Sequence, residues 1–285
     1  MKTSSIDRRP QPRPALRTVL WIVLLIGLTL GFIKTMKPRP AMANGDPPAL
    51  RVDVSEPNDD SAAAPVNPGA AVFYTETLIL PTYPYSDYLS EARDAEYHLT
   101  YPVLDWIAYE RANPQPVPRG YELLVLENDH LKVTLLPELG GRIYQLIDKS
   151  TGRDQLYQNP VIKPTHQGSS KQGWWLAAGG IEWALPTGEH GYTWGVPWDW
   201  ELSKRADGTA VTVSNTQTTD RLRARITIFL PSDRAYMRIT PRIENPTARG
   251  LAYTFWANAA VALGGAAEPS AGTEFRLNTR WVALH

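Results

Sequence analysis

A two-residue period runs through the second half of the chain. Leu131, Val133 and Leu135 alternate with Lys132 and Thr134, and Leu222, Ala224, Ile226 and Ile228 alternate with Arg223, Arg225 and Thr227. Met237, Ile239 and Ile243 continue the pattern. Successive side chains of an extended strand point to opposite faces, so this alternation describes strands with one buried face. Turn-forming pairs separate the runs: Asn128-Asp129, Asp207-Gly208 and Ser232-Asp233 suit tight hairpins. About a dozen strands are expected, with no long helical period and no βαβ alternation. The pattern therefore predicts an all-β fold, a large antiparallel β-sandwich. Two local exceptions are a short helix over Ser86–His98 capped by Ser86 and a proline-rich loop over Asn113–Gly120.

The 285 residues, 43% of them apolar, suffice for one large core. Twenty-nine basic residues balance twenty-nine acidic ones, which argues against a nucleic-acid partner. Without cysteine there are no disulfides, thiolate metal sites or cysteine nucleophiles.

Three regions follow from composition. In residues 1–43, Lys2, Arg8, Arg9, Arg13 and Arg17 precede the uncharged run Thr18–Ile33, and Lys34, Lys37 and Arg39 follow it. Sixteen helical residues span roughly 24 Å, short of a ~30 Å hydrocarbon core but within reach when flanking side chains snorkel. "AMA" at Ala41–Ala43 suits a signal-peptidase site. The three charges before it favour an uncleaved anchor over a secreted product. The larger basic count lies ahead of the run, so the N-terminus is expected in the cytoplasm and the remainder outside. Residues 44–71 read as an extended proline-rich spacer, and residues 72–285 as the sandwich.

The elements "LENDHLKVTLLPELGGRIYQLIDKSTGRDQLY", "NPVIKP", "GGIEW", "HGYTW" and "FWANAAV" occur in an order that resembles the galactose mutarotase-like superfamily, and within it an uncharacterised bacterial family of sugar-associated domains. The likeness covers Tyr101 to about Val261. It implies a mutarotase-like supersandwich whose open face binds carbohydrate. The length after the spacer is short for such a sandwich, so the chain is expected to lack closing strands. A protein partner covering the exposed edge is expected too.

Candidate site residues concentrate in "GGIEWALPTGEHGYTWGVPWDW", Gly179–Trp200, which holds four of the ten tryptophans. His190-Gly191-Tyr192 resembles the superfamily's His-Gly-aromatic motif, which implies that His190 contacts sugar hydroxyls. Tryptophans fill cores and also offer flat apolar faces to sugar rings. Glycine and proline in "TWGVPWDW" place Trp194 and Trp198 on a loop rim. One ring of Trp174-Trp175 is expected to reach the site. Arg142, Trp175, Trp183, Trp194 and Trp198 are the expected binding residues. If there is catalysis, His190 acts with a carboxylate base, and Glu182 and Asp199 lead over Glu138 and Glu189. Glu182 has a second reading, as a half-buried carboxylate hydrogen-bonded to backbone or paired with Arg142. In the epimerases a second, acidic-role histidine follows well downstream, whereas here His285 is the next.

No P-loop, dinucleotide fingerprint or G-x-S-x-G elbow occurs, and no cofactor is expected. The five scattered histidines do not form a zinc or iron pattern. Arg221, Arg223 and Arg225 read as a solvated strand face. Three functions stay open: a membrane-tethered carbohydrate-binding domain, a sugar epimerase or polysaccharide-processing enzyme, and a non-catalytic accessory subunit of a membrane complex.

Overall fold

The structure, a computed structural model, describes residues 70–186, 189–215 and 221–262. The expected anchor, nearly all of the spacer and the last part of the expected sandwich lie outside them. Among the described residues no helix is long and apolar enough to cross a membrane.

In chain order the strands are β1 (Val72–Thr82), β2 (Leu89–Asp94), β3 (Leu99–Leu104), then helix α1 (Trp106–Ala112), β4 (Val117–Glu127), β5 (Leu131–Leu136), β6 (Arg142–Asp148) and β7 (Arg153–Asp154). They continue as β8 (Pro164–Thr165), β9 (Trp175–Leu176), β10 (Ile181–Ala184), β11 (Asp199–Arg205), β12 (Gly208–Ser214), β13 (Arg223–Pro231), β14 (Arg238–Glu244) and β15 (Trp256–Ala259). The fold is all-β and the strand ladders are antiparallel. A seven-stranded sheet runs β1-β4-β5-β6-β10-β15, with β7 on β6, and a four-stranded sheet runs β11-β12-β13-β14. The ribbons β2-β3 and β8-β9 complete it.

Alternation along each strand explains how the layers meet. Leu124, Leu126, Val133, Leu135 and Ile143 from the large sheet share one cluster with Val211, Val213, Ala224, Ile226 and Ile228 from the small sheet. The neighbouring positions Tyr121, Leu123, Leu136 and Tyr144 point the other way, into a second cluster with Leu104, Tyr109, Ile162, Trp174 and Trp194. The large sheet is thus covered on both faces, which is why Leu123–Leu126 is a continuous apolar run with no wet side. Each fully buried aliphatic side chain contributes about 1.5–3 kcal/mol. At the β5–β6 turn, Gly140 has φ +77, and an added Cβ would lie 2.7 Å from the Trp194 carbonyl oxygen. Only glycine tolerates that backbone and that approach.

The three expected hairpins form at β4-β5, β11-β12 and β13-β14. The segment expected to be a helix over Ser86–His98 is instead one 3-10 turn, Ser86–Tyr88, without a side-chain cap, followed by β2. Asp94 decides this: its Oδ1 accepts the backbone N–H groups of Glu96 (2.9 Å) and Tyr97 (3.2 Å) and turns the chain into β3. The helix lies later, where Asp105 accepts from the Ala108 N–H at 3.0 Å and Asn113 ends the last turn in the left-handed region. The proline-rich loop is shorter than expected because Val117–Gly120 already pairs with β1. Arg223 and Arg225 are not merely solvated but ion-paired to Glu244 and Glu201. The outer strands are β1 and β15 in one sheet and β11 and β14 in the other, and all of β11 is exposed.

Candidate functional site

The site is built on the face of β10 turned away from the sandwich interior. Ile181 and Trp183 point into that interior, so Glu182 between them faces the opposite way. Directly across the ladder lies Asn258 of β15. Its Nδ2 donates to Glu182 Oε1 at 3.1 Å. His190, eight residues on in sequence, turns back to place Nδ1 2.5 Å from the same oxygen. The other oxygen accepts from Trp175 Nε1 at 3.2 Å and from Arg142 Nη2 at 3.4 Å.

Four donors therefore surround a carboxylate that is 3% exposed. Burial alone would push the Glu182 carboxyl up, but the His190 hydrogen bond and the Arg142 charge hold it below the usual carboxylate range. An ionised carboxylate only accepts, so His190 carries its proton on Nδ1. Nε2 is left without a hydrogen-bond partner among the described residues. The imidazole stacks on Trp175 with centroids 4.3 Å apart and planes at 21°, and both rings are partly exposed.

The loop bearing His190 is pinned at several points. Trp256 Nε1 donates to the Glu189 carbonyl. Tyr192 Oη donates to buried Asp94 at 2.8 Å, and Lys171 Nζ reaches the same oxygen at 2.9 Å. Tyr101 stacks on Tyr192 with centroids 4.4 Å apart. Gly191 has φ +67, and a Cβ there would meet the Leu185 carbonyl at 2.7 Å. These contacts fix the entry and exit of the imidazole's own segment.

The structure brings together Arg142, Trp175, Glu182 and His190, and separates the other candidates. Arg142 is a clamp rather than a surface contact: 1% exposed, it donates to the carbonyls of Leu139 (2.8 Å), Gly179 (2.9 Å) and Trp194 (3.0 Å). Trp183, Trp194 and Trp198 are no more than 3% exposed, so none offers a face to a ligand. Trp194 and Trp198 do lie on the loop, but it is tied to the β5–β6 turn, where the Trp198 N–H donates to the Pro137 carbonyl and the Gly140 N–H to the Val196 carbonyl. It turns Trp194 into the second apolar cluster and Trp198 into the first. Their Nε1 groups donate to Gln172 Oε1 and the Thr193 carbonyl, and a buried indole needs such a partner. Asp199 is exposed at the start of β11 and lines another groove, of about 430 Å³, with Glu138, Glu122 and Trp200. Glu138 is held by Arg119 at 3.0 Å, and Glu189 contributes its carbonyl. Asn258, absent from the expected set, belongs to the site; the strand "FWANAAV" carries it, but its register with Glu182 is not a local property.

Residues 98–270, more than half of the chain, match a family described as a domain of unknown function, DUF5107. The chain belongs to the DUF5107 family. Within the matched span lie Arg142, Trp175, Glu182, His190 and Asn258, so the whole cluster is part of the DUF5107 domain. A TPR-domain containing protein from Parabacteroides distasonis is similar over 62% of this chain, at 22% identity and a TM-score of 0.47. The chain spans 29% of that protein's length. Among the described residues of this DUF5107 chain, no cluster of three or more histidines or carboxylates is arranged to hold a metal ion.

Proposed function

We propose that the DUF5107 domain binds carbohydrate at the stacked His190–Trp175 pair, with Glu182 as the buried group that orients it. The observation that carries this reading is an imidazole whose Nδ1 is tied to a saturated carboxylate while Nε2 stays open beside a partly exposed indole. Such a pair combines what a sugar needs: an apolar surface for its C–H groups and a fixed hydrogen-bonding atom at the edge for a hydroxyl. The resemblance to mutarotase-like supersandwiches supports the same reading. The basic, apolar, basic pattern of the N-terminal sequence supports a domain tethered to a membrane and held outside it.

Binding is favoured over turnover by the same geometry. Glu182 already accepts from four donors, so it serves as the orienter of His190 and not as a free base. Epimerisation needs a second acid–base group, and Asp199 and Glu138 line the other groove. An accessory subunit with no glycan affinity is the reading that stands if binding fails.

The test is tryptophan fluorescence of the protein titrated with mono- and oligosaccharides, with His190→Ala and Trp175→Ala in parallel. Saturable quenching that both substitutions weaken at least about tenfold, or ~1.4 kcal/mol, is expected. A flat response from folded protein overturns the proposal.

A further inference from the structure

A second cluster repeats the chemistry of the first. His166 stacks on Trp106 with centroids 3.7 Å apart and planes at 20°, and its Nε2 lies 3.3 Å from Glu110 Oε1. This tryptophan, histidine and glutamate come from α1 and the segment just after β8, none of them in the Glu182 cluster. They line a cleft of about 350 Å³ with Tyr83, Tyr109 and Lys163, a volume in the range of small-molecule sites. Tyr109 is its buried aromatic side chain, and the Tyr109 hydroxyl has no hydrogen-bond partner among the described residues.

The two clusters are neighbours. Thr165, between Pro164 and His166, pairs directly with Trp175 across the β8-β9 ribbon. Trp106 Nε1 donates to the Gly173 carbonyl at 3.0 Å, two residues before Trp175. The ribbon and the residue that follows its first strand thus supply one ring to each stacked pair, Trp175 to the first and His166 to the second.

The difference between them lies in charge. The first cluster neutralises its cation, Arg142, with a buried carboxylate. In the second, the Lys163 ammonium sits 5.0 Å from the Tyr83 ring centroid and, among the described residues, is in ion-pair contact with no carboxylate. Glu110, the carboxylate of the cleft, is turned to His166. An exposed ammonium beside three aromatic side chains complements a ring-shaped ligand with an acidic substituent, since N⁺–H···O⁻ bonds are the stronger, charge-assisted kind.

We infer that this cleft is a second carbohydrate subsite and takes a sugar unit bearing a carboxylate, a uronate, with Lys163 on the carboxylate and the Trp106–Tyr83 wall on the ring. The inference extends the carbohydrate reading of the His190 site to an acidic oligosaccharide spanning both clusters.

Isothermal titration of the full chain with an oligogalacturonate of four units and with its methyl-esterified form tests it, because esterification removes the charge and keeps the backbone. At low salt the acidic form is expected to bind at least about tenfold more tightly. That preference disappears in Lys163→Met and on raising the salt to several hundred millimolar, where charges are screened within a few ångströms. Lys163 is exposed, so this variant keeps the fold. His190→Ala is expected to weaken both ligands and leave their ratio intact. Equal affinity for the two forms, or a preference that survives Lys163→Met, overturns the inference while leaving the His190 site standing if His190→Ala still weakens both. A Lys163-dependent preference that ignores His190→Ala supports this cleft and overturns the first site. Binding of neither form to folded protein overturns both.

Discussion

Replacing Glu182 by glutamine keeps the size of the side chain and is expected to remove about 3–5 kcal/mol of stability. The carboxylate accepts from four donors at 2.5–3.4 Å. Glutamine has one acceptor oxygen, so in either orientation its NH₂ faces two donors: His190 with Asn258, or Trp175 with Arg142. Arg142 also loses its counter-ion. At 3.4 Å the attraction is roughly 5 kcal/mol for an effective dielectric constant of about 20. Desolvation of both ions offsets much of this in the intact pair, but an ion left alone in the interior has nothing to offset its own desolvation. Set against a total of ~5–15 kcal/mol for a domain, the loss is large. Urea unfolding followed by circular dichroism reads it as a shifted midpoint at constant slope. Arg142→Met closes the cycle: removing both ions should cost less than the two single losses together by about 1 kcal/mol or more. A Glu182→Gln protein within about 1 kcal/mol of the parent, or strict additivity, would refute the claim that this carboxylate is the electrostatic centre of the site.

Trp198→Ala is expected to cost about 3–5 kcal/mol as a core truncation, whereas Trp175→Ala costs less and abolishes sugar quenching; thermal melts run beside the titrations separate the two. Gly191→Ala forces an alanine into the left-handed region, about 1–2 kcal/mol, and against Leu185, so both stability and His190-dependent binding should fall. Burial would raise the Asp94 carboxyl, but Lys171 and Tyr192 hold it below its ordinary 3.8. Its contribution is therefore complete above that value and lost as pH falls through the depressed folded-state value. Asp94→Asn should flatten the acid limb of a stability–pH curve and leave neutral-pH stability lower. Alkaline carbonate extraction of cells making the full chain is expected to leave it in the membrane pellet; release into the supernatant would favour a cleaved signal.

The strands were readable in the sequence wherever one face is wet, as in Arg223–Pro231, because burial then imprints a period of two. Where both faces are covered, as at Leu123–Leu126, the period vanishes and only an apolar run remains. Ser86 misled because a good capping residue stood before acidic and small residues, while the Asp94 turn that makes the segment a hairpin depends on Tyr192 and Lys171 far along the chain. Glycine and proline in "TWGVPWDW" mark a loop, but a loop hydrogen-bonded to the β5–β6 turn packs its rings into the two clusters that flank the large sheet instead of presenting them at a rim. Of the site, His190, Glu182 and Trp175 lie close enough in sequence to be grouped. Asn258 and the Trp106–His166 pair are joined only by ladder register and by the packing of α1 beside the ribbon, which no local pattern encodes.

The segment 83–116, which holds β2, β3, α1 and one wall of the second cleft, leaves and re-enters the large sheet at Thr82 and Val117, two residues directly opposite each other in the β1–β4 ladder. A tight turn at that point would close the same ladder. The length of the segment is therefore free of the sheet's register, and the entropy of closing a longer loop grows only slowly. What constrains it is the apolar surface beneath, Tyr121, Leu123, Leu136 and Tyr144, which needs a cover of some kind. Exchanging this one contiguous stretch would replace the Tyr83–Trp106 wall of the cleft and leave Lys163 in place. It would also take away Asp94 and Tyr101, which hold Tyr192 two residues after His190, so the same stretch couples the cleft to the Glu182 cluster.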